Sequence, residues 1–491
     1  GSSLADTTAY HVLSAESMLG IPMQALANLV IGFLIFGVAL TQTGGGKFFI
    51  DLAFAALGHV RGGPAKVAIF SSGLMGSMSG SVISNVITTG VMTIPAMRKT
   101  GFRASYAAGV EACASTGGVL MPPIMGSTAF IMAVFLNIPY ITIAVAAIIP
   151  SILYYLALFI QIDAYAAKNN MPGLPKEQLP KLGETFRAGW HFIAVFILLI
   201  VMLVYLKQEV LAPFYATALL LIINQIFSKE RWGMKEFWAF ILAAGKLLAE
   251  IAAILVGVGL IVGALSITGM AGTLVNDLVF IAGGDILVLL LMGAIASFIM
   301  GIGMTVTAAY IFLAIVLAPA LIQGGLDPLS VHLFILYWGM VSFITPPVAL
   351  GAFAAASIAG ASPMRTGFEA MRLGSIIYFV PFFFVLDPAF ILNGELSRTA
   401  LLFVCAVGGV ILVASSLQGY LVWIGNLHRH PILGWPIRAL VLIGGLALAT
   451  PGGSDLIPFS DLELALFALA TAGPAAAVAY MLERRAKAAM A

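Results

Sequence analysis

The sequence predicts an all-α polytopic membrane protein built from two inverted-topology repeats, each with a re-entrant hairpin and a Pro-Pro-broken helix, plus extra C-terminal transmembrane helices. Hydrophobic residues make up 61% of the chain and charged residues 9%, whereas a soluble domain carries about 25% charged residues. Apolar runs of membrane-spanning length recur from end to end. The third observation is an internal repeat, which indicates how the spans are organised.

The repeat is visible in the prolines. Pro95, Pro122, Pro123 and Pro139 are each matched by a proline 224 residues later, at Pro319, Pro346, Pro347 and Pro363. Proline is scarce here, with 23 in 491 residues, so the common offset indicates a duplicated unit. Internal repeats with Gly/Pro breaks inside apolar segments are typical of secondary transporters, and the breaks indicate where the substrate binds.

The apolar segments predict full crossings and two exceptions. The crossings are expected near 20–43, 117–137, 140–162, 188–206, 210–227, 247–268, 329–361, 373–391, 399–425, 434–450 and 459–481. Segments 64–97 and 285–320 are too long for one span and are interrupted by Gly/Ser or Gly/Thr runs. They are expected to be re-entrant hairpins, whose irregular backbone must be buried in protein or line a water-filled cavity.

Lys and Arg placement predicts the orientation. Loops around the first hairpin are basic, and those around the second, 269–285 and 321–328, hold no Lys or Arg. The first hairpin is therefore expected to enter from the cytoplasm and the second from outside. Five crossings separate equivalent points of the two copies, and since this number is odd, the second copy is expected to be inverted in the membrane. The C-terminus is expected in the cytoplasm. The predicted units are repeat 1 (1–162), two linking helices (163–231), repeat 2 (232–391) and accessory C-terminal helices (392–491).

The hairpin tips are the first candidates for chemistry. Hydroxyl and amide oxygens suit Na⁺, a hard cation that prefers oxygen ligands, and helix N-termini favour an anionic group. The predicted substrate ligands there are Ser81, Asn85, Thr305 and Thr307, and the predicted Na⁺ ligands are Ser79, Gly80, Ser84, Gly303 and Met304. The alternative is a helix-packing break, since small residues let helices approach closely.

The Pro-Pro breaks are the second candidates. Two adjacent prolines remove two amide donors and leave carbonyls without helical partners. A cation can satisfy such carbonyls, so Gly117, Met121, Thr345 and Pro346 are added to the predicted Na⁺ ligands. A plain kink is the alternative interpretation.

Ionisable residues favour sodium over proton coupling. Neither hairpin nor broken helix is expected to hold an Asp, Glu, Lys, Arg or His at depth, whereas proton-coupled carriers usually need one. Glu111 and Glu250 are expected near the membrane interface, in structural roles. The sequence has no Gly-Lys-Ser/Thr nucleotide-binding motif and predicts neither an enzyme nor a nucleic-acid-binding protein.

At GSMSGSVISNVITTGVMTIP (76–95), GGVLMPPIMGSTAFIMA (117–133) and FITPPVALG (343–351), the chain resembles the large membrane subunit of tripartite ATP-independent periplasmic (TRAP) transporters, in particular the TAXI branch. The similarity covers about 15–390. It implies elevator-type, Na⁺-coupled uptake of a small carboxylate across the bacterial inner membrane. It also implies a periplasmic substrate-binding protein, a small four-helix membrane subunit that is often fused upstream, and a substrate role for Ser127.

Two other functions remain open from the sequence alone. One is a stand-alone Na⁺-coupled carrier of divalent anions that works without a binding protein. The other is a channel-like membrane subunit that does not transport by alternating access. The substrate, the number of Na⁺ ions and the oligomeric state are not encoded in any recognisable residue pattern.

Overall fold

The computed structural model describes residues 3–227, 231–454 and 456–488, with the side chains of residues 77–79 and 487 excepted. Six helices are long and apolar enough to cross a membrane: Ile21–Gln42, Tyr140–Lys168, Lys176–Val204, Met234–Thr268, Leu396–Gln418 and Asp461–Ala486. In the described ranges the remaining regular structure is helical too, apart from one pair of two-residue strands, Tyr420–Leu421 and Gly425–Asn426. The prediction of an all-helical, multi-span membrane protein is confirmed.

The first part of the chain contains ten helices among its described residues. These are α1 (Leu4–Leu13), α2 (Ile21–Ala25), α3 (Ile31–Gln42), α4 (Gly45–Leu57), α5 (Gly63–Ser79), α6 (Val82–Lys99), α7 (Ala104–Leu120), α8 (Ser127–Leu136), α9 (Tyr140–Ala146) and α10 (Ile148–Lys168). A π-helical turn, Leu26–Val30, joins α2 to α3. Helices α5 and α6 form a hairpin, because Ser72 Oγ and Thr89 Oγ1 lie 3.0 Å apart on opposite sides of the Gly80 turn.

The middle of the chain also contains a helical hairpin and an interrupted helix. It comprises α11 (Leu182–Val204), α12 (Ala212–Phe227), α13 (Met234–Thr268), α14 (Met270–Ile281), α15 (Ile286–Gly301), α16 (Val306–Val316), α17 (Ala318–Gln323), α18 (Pro328–Val341), α19 (Leu350–Ala359), α20 (Pro363–Leu373) and α21 (Val380–Leu386). Short 3₁₀ turns cover Lys176–Gln178, Ser375–Tyr378 and Pro388–Ile391. In the second hairpin, Gly293 of α15 packs against Leu317, which follows α16, and against Leu321 of α17.

Three C-terminal helices complete the described chain: α22 (Leu396–Gln418), α23 (Gly434–Ala449) and α24 (Asp461–Ala488). Arg398 of α22 joins them to the preceding part by donating to Asp387 and Asp461. Gln418 Nε2 also donates to Gln161 Oε1 of α10, at 3.1 Å.

Two predicted crossings differ from the structure. Segment 373–391 is not one continuous helix, because it consists of a 3₁₀ turn, α21 and a second 3₁₀ turn, and a 70° bend separates it from the preceding α20. Gly374 and Pro381 lie in this region, and proline removes a helical hydrogen bond. In segment 399–425 the helix ends at Gln418, because Gly419 adopts the left-handed conformation (φ +71°). The following residues form the two short strands.

The first broken helix begins earlier than predicted. The prediction placed it at 117–137, but α7 runs unbroken from Ala104 and every residue from Ser105 to Leu120 is buried. Its Ala, Gly, Ser and Thr side chains are small, which lets neighbouring helices approach closely. Helix α7 therefore forms the centre of the first half, enclosed by α5, α6, α10, α19 and α20. Helix α18 is buried in the same way beside α15, α16 and α21.

Candidate functional site

A cavity of about 340 Å³ lies between the tips of the two hairpins. Its walls come from both tips, both interrupted helices and α13. The lining residues are Leu34, Gly80, Ser81, Val82, Ile83, Ser127, Leu247, Glu250, Ile251, Ile254, Gly303, Met304, Thr305, Val306, Thr307, Phe343 and Leu350. Residues far apart in the sequence thus meet at one chamber, which is where the sequence analysis expects a site.

The tip of hairpin one is built by a glycine and a capping serine. Gly80 ends α5 in the left-handed conformation (φ +61°), which glycine adopts without a Cβ penalty. Ser81 then caps α6, and its Oγ accepts a hydrogen bond from the Ser84 amide at 3.3 Å. Both Gly80 and Ser81 line the cavity. Ser84 is exposed and is not among the lining residues, and the side chain of Ser79 lies outside the described part.

The tip of hairpin two has the same local design. Gly303 is left-handed (φ +83°), and Thr305 caps α16 by accepting from the Ala308 amide at 3.3 Å. Gly303, Met304, Thr305 and Thr307 all line the cavity. Each tip therefore presents a glycine turn followed by the hydroxyl-capped N-terminus of a helix.

Ser127 and Thr307 connect the two halves. Ser127 is the first residue of α8, after the first Pro-Pro break. Its Oγ lies 3.1 Å from Thr307 Oγ1, and Thr128 Oγ1 lies 3.0 Å from the same atom. The three hydroxyls form a polar cluster at the wall of an otherwise largely apolar chamber. Their role in binding stays a prediction.

Four helices begin at this cavity. The first residues of α6, α8, α16 and α19 (Val82, Ser127, Val306 and Leu350) all line it. A helix N-terminus carries a partial positive charge and amide donors, so it attracts anions. In α19 the amides of Gly351 and Ala352 already donate to the Phe343 carbonyl. This helix can therefore attract an anion in the cavity mainly through its dipole. The convergence brings four partial positive charges to a chamber whose lining includes no basic residue and one acidic residue, Glu250.

Asn85 does not reach the cavity, although the sequence analysis included it among the substrate ligands. It is fully buried between α5 and α7, where its Nδ2 donates to the Ser72 carbonyl at 2.8 Å. The amide fits beside Gly76 and Gly118, because a Cβ at either glycine would lie within about 3 Å of Nδ2. Asn85 Oδ1 is buried without a hydrogen-bond partner among the described residues. Such an oxygen is free to bind a cation.

The predicted ligands at the Pro-Pro breaks lie outside the cavity wall. Gly117 is buried in α7 against Tyr154 and Tyr155, and Met121 ends that helix. Thr345 Oγ1 is hydrogen-bonded to the Val341 carbonyl and to the Tyr378 hydroxyl, at 2.7 and 2.6 Å. Pro346 packs on Gly367. From the second break, Phe343 and Leu350 face the chamber instead.

The two acidic residues expected at the interface occupy other positions. Glu250 extends from α13 into the cavity lining. Glu111 is completely buried in α7 and hydrogen-bonded to residues of both arms of hairpin one. The expectation was wrong for Glu111 because the segment assigned to the membrane surface is part of the central helix. The i,i+4 spacing of Thr89/Thr93 and of Glu111/Ser115 was the available signal.

The sequence is similar to a known family of membrane proteins. The family model described as "Tripartite ATP-independent periplasmic transporter, DctM component" matches residues 2–397. The chain is 25% identical over 332 residues to a C4-dicarboxylate TRAP transporter large permease protein of Pseudomonas aeruginosa, which covers 67% of this chain and 76% of that protein. It is 27% identical over 324 residues to a putative TRAP transporter large permease protein of Haemophilus influenzae, covering 64% and 74%. It is also 24% identical over 384 residues to a sialic acid TRAP transporter permease protein of that species, covering 77% and 61%.

Proposed function

Since the chain belongs to the DctM component family of tripartite ATP-independent periplasmic transporters, a family of membrane permeases rather than enzymes, we propose that it takes up a small carboxylate by Na⁺ symport. The substrate arrives from a periplasmic binding protein, and a small four-helix subunit assists the permease. The rigid hairpin core moves against a scaffold to expose one site alternately to each side. Within the family, the motifs around the two Pro-Pro breaks favour the TAXI branch.

The convergence of four helix N-termini on one cavity is the observation that carries this proposal. An anion placed there gains from aligned amide donors and helix dipoles at a depth where water is scarce. No lysine or arginine is among the lining residues, so the chamber itself supplies no full positive charge. Transferring an anion into such a site is costly unless a cation accompanies it. Co-binding of Na⁺ meets this requirement.

The polar breaks behind the tips suit Na⁺. Buried Asn85 Oδ1 has no hydrogen-bond partner among the described residues, and Gly80, which ends α5, lies five residues before it. Amide and backbone carbonyl oxygens are the hard ligands that such a cation prefers. The equivalent break at Gly303 and Thr305 would supply a second set. Sodium bound behind each tip would hold the helix N-termini in position for the carboxylate.

Matching contacts in the two halves support the inverted repeat. Ser81 and Thr305 are 224 residues apart and both cap the second arm of a hairpin. Gly76 of α5 packs on Gly118, and Gly301 of α15 packs on Ser342 at the end of α18. Each hairpin thus rests on the interrupted helix of its own half. Two such units in opposite orientation would let a single midplane site alternate between the two sides.

Transport in proteoliposomes tests the proposal. The permease, reconstituted with its binding protein and small subunit, should accumulate a radiolabelled carboxylate when a Na⁺ gradient is imposed. Equal uptake with choline in place of Na⁺ would disprove sodium coupling. Uptake by the permease alone would favour the stand-alone carrier, and single-channel conductance in a planar bilayer would favour a channel.

Ligand binding by the purified permease gives a test that needs no partner. A ligand that binds only the folded state raises its stability in proportion to RT ln(1 + [L]/Kd), so it raises the melting temperature. Na⁺, but not choline, should stabilise the protein, and carboxylates should stabilise it further only when Na⁺ is present. A panel of mono- and dicarboxylates compared in this way would define the substrate class.

A further inference from the structure

A buried carboxylic acid lies at the centre of the first half, behind the cavity. Glu111 of α7 is 0% exposed. Its Oε1 is 2.8 Å from Ser72 Oγ of α5 and 3.2 Å from Ser115 Oγ, and it is also in close hydrogen-bond contact with Thr89 of α6. Its Oε2 contacts Thr93 Oγ1 of α6. Four hydroxyls from three helices therefore surround one carboxyl group, which we call the Glu111 cluster.

The cluster has no positive partner. Among the ion pairs formed by described residues, none includes Glu111. The titratable or charged groups on the helices packed against α7 are Lys66 of α5, Arg98 and Lys99 of α6, Tyr154, Tyr155, Asp163, Tyr165 and Lys168 of α10, and Arg365, Glu369 and Arg372 of α20, and α19 contributes none. The Tyr154 and Tyr155 hydroxyls donate to the carbonyls of Cys113 and Ala114. An unpaired buried carboxylate is expensive, and such a group normally binds a proton instead.

The hydrogen bonds themselves call for another proton. A hydroxyl carries one proton. Thr93 Oγ1 lies 3.0 Å from the Thr89 carbonyl, and Thr89 Oγ1 lies 2.8 Å from the Asn85 carbonyl. Carbonyls only accept, so a Thr93 hydroxyl that donates to the Thr89 carbonyl can only accept from the carboxyl group, whereas Thr89 can donate its proton to Oε1. The contact between Thr93 and Glu111 is then satisfied by a proton on Oε2.

The same cluster can also accommodate the ionised form. If Glu111 loses its proton, the four hydroxyls can rotate and donate to the carboxylate, and charge-assisted hydrogen bonds of this kind are strong. The space is too tight for a metal ion, because the hydroxyls already touch the carboxylate oxygens. Gly90 of α6 packs closely against the Glu111 side chain, since a Cβ at position 90 would lie 3.2 Å from Glu111 Cγ. A proton is the cation that fits.

We infer that Glu111 is a proton-binding site of the transport core, separate from the Na⁺ sites. Its hydroxyl partners lie on both arms of hairpin one, so gain or loss of the proton changes how the hairpin is held on α7. The second half has no counterpart, because the position equivalent to Glu111 is Ile335. The site therefore acts on hairpin one alone, and the pH dependence of uptake arises there. Only this last step rests on the proposed transport function.

Infrared difference spectroscopy on the purified full-length permease tests proton binding directly. The C=O stretching band of a protonated carboxylic acid should be present, should disappear reversibly at high pH, and should be absent from Glu111→Gln. Glu250→Gln, which removes the acid at the cavity, is the matched control and should keep the band. If the wild-type spectrum contains no band that Glu111→Gln removes, Glu111 is permanently charged and the inference is overturned. A Glu111 band that does not change with pH would also overturn the inference.

A second variant covers the case in which Glu111→Gln does not fold. Thr93→Val keeps the shape of the side chain and removes one donor to the ionised form. The ionised form loses a charge-assisted hydrogen bond and the protonated form a weaker neutral one, so the pH midpoint of the band should move upward, by less than about one unit. An unmoved midpoint would contradict the assignment of the band to this cluster. Because these spectra need neither substrate nor Na⁺, failure of sodium-coupled uptake and failure of proton binding are distinguishable.

The transport readout then assigns the role. In proteoliposomes, Glu111→Gln should retain Na⁺-dependent uptake but lose its variation with pH over the range in which the wild-type band titrates. Uptake by Glu111→Gln that keeps the wild-type pH profile would show that the proton site does not act on transport.

Discussion

Ser127 and Thr307 lie 180 residues apart in the chain, and their hydroxyl oxygens are 3.1 Å apart at the wall of the cavity. Ser127 starts the helix that follows the first Pro-Pro break, and Thr307 lies in the first turn of the second arm of hairpin two. The contact therefore joins the tip of one half to the interrupted helix of the other. A substrate between the hairpins would meet a hydroxyl pair that neither half provides alone.

Replacing Thr307 by valine should weaken substrate binding. Valine keeps the branched shape but removes the hydroxyl that contacts Ser127 and Thr128. A lost neutral hydrogen bond costs about 1 kcal/mol, and a lost hydrogen bond to a substrate carboxylate costs more, so substrate binding should weaken roughly tenfold. The KM of uptake should rise by that factor while kcat changes little. Thr471→Val on α24, whose hydroxyl bonds only to carbonyls of its own helix, is the matched control. An unchanged KM would remove Thr307 from the site.

Local sequence signals locate the two hairpin tips, which form part of the cavity wall. A glycine that must be left-handed followed by a capping hydroxyl marks where one helix ends and the next begins, and both tips have this pattern at Gly80–Ser81 and Gly303–Thr305. These signals act within a few residues. They survive whatever tertiary packing follows, so the tips could be located without a structure.

Residues whose role depends on packing could not be placed in this way. Glu111 and Asn85 are buried because α7 lies in the middle of a helix cluster, and no short-range pattern reports that. The sequence therefore predicts Glu111 near the membrane interface, whereas it lies in a buried helix. The hydrogen bond between Thr345 and Tyr378 also joins residues on either side of a break and a bend, which no local pattern reports.

The two capping hydroxyls should be needed for cation dependence. Ser81→Ala and Thr305→Ala each remove a cap worth about 1 kcal/mol, so the tips become less ordered and Na⁺ must offset the loss. The Na⁺ concentration giving half-maximal uptake should therefore rise about fivefold to tenfold in each variant. Ser81→Thr and Thr305→Ser retain a capping oxygen and should behave like the wild type. Equal losses in the conservative variants would indicate a packing defect rather than a capping role.

Hairpin two should depend on a close approach at Gly301. A Cβ at this position would lie 2.6 Å from the Gly339 carbonyl and 2.8 Å from Ser342 Oγ. Gly301→Ala should therefore force α15 away from α18 and lower the free energy of unfolding by about 1–3 kcal/mol, the usual cost of overpacking. Gly339→Ala is the control from the facing helix, since nothing lies within 4 Å of its Cβ position. Thermal unfolding in detergent measures both, and similar melting temperatures would contradict the predicted clash.

Arg398 should hold the C-terminal helices on the rest of the chain. Its Nε donates to Asp387 at 2.8 Å and its Nη2 to the Gly452 carbonyl at 2.9 Å, and Nη1 contacts Asp461. Its side chain is 27% exposed, whereas Lys181, in an ion pair with Glu184, is 79% exposed. Exposed pairs contribute about 0–1 kcal/mol, but removing one member of a partly buried network leaves its partners unpaired and costs more.

Arg398→Gln should accordingly lower the free energy of unfolding by about 2 kcal/mol, whereas Lys181→Gln should leave it nearly unchanged. Uptake per folded molecule should stay at the wild-type level, because none of the three Arg398 partners lines the cavity between the hairpins. Denaturation in detergent and uptake normalised to folded protein measure the two effects separately. If Arg398→Gln impaired uptake without loss of stability, the C-terminal helices would take part in transport and would not merely brace the scaffold.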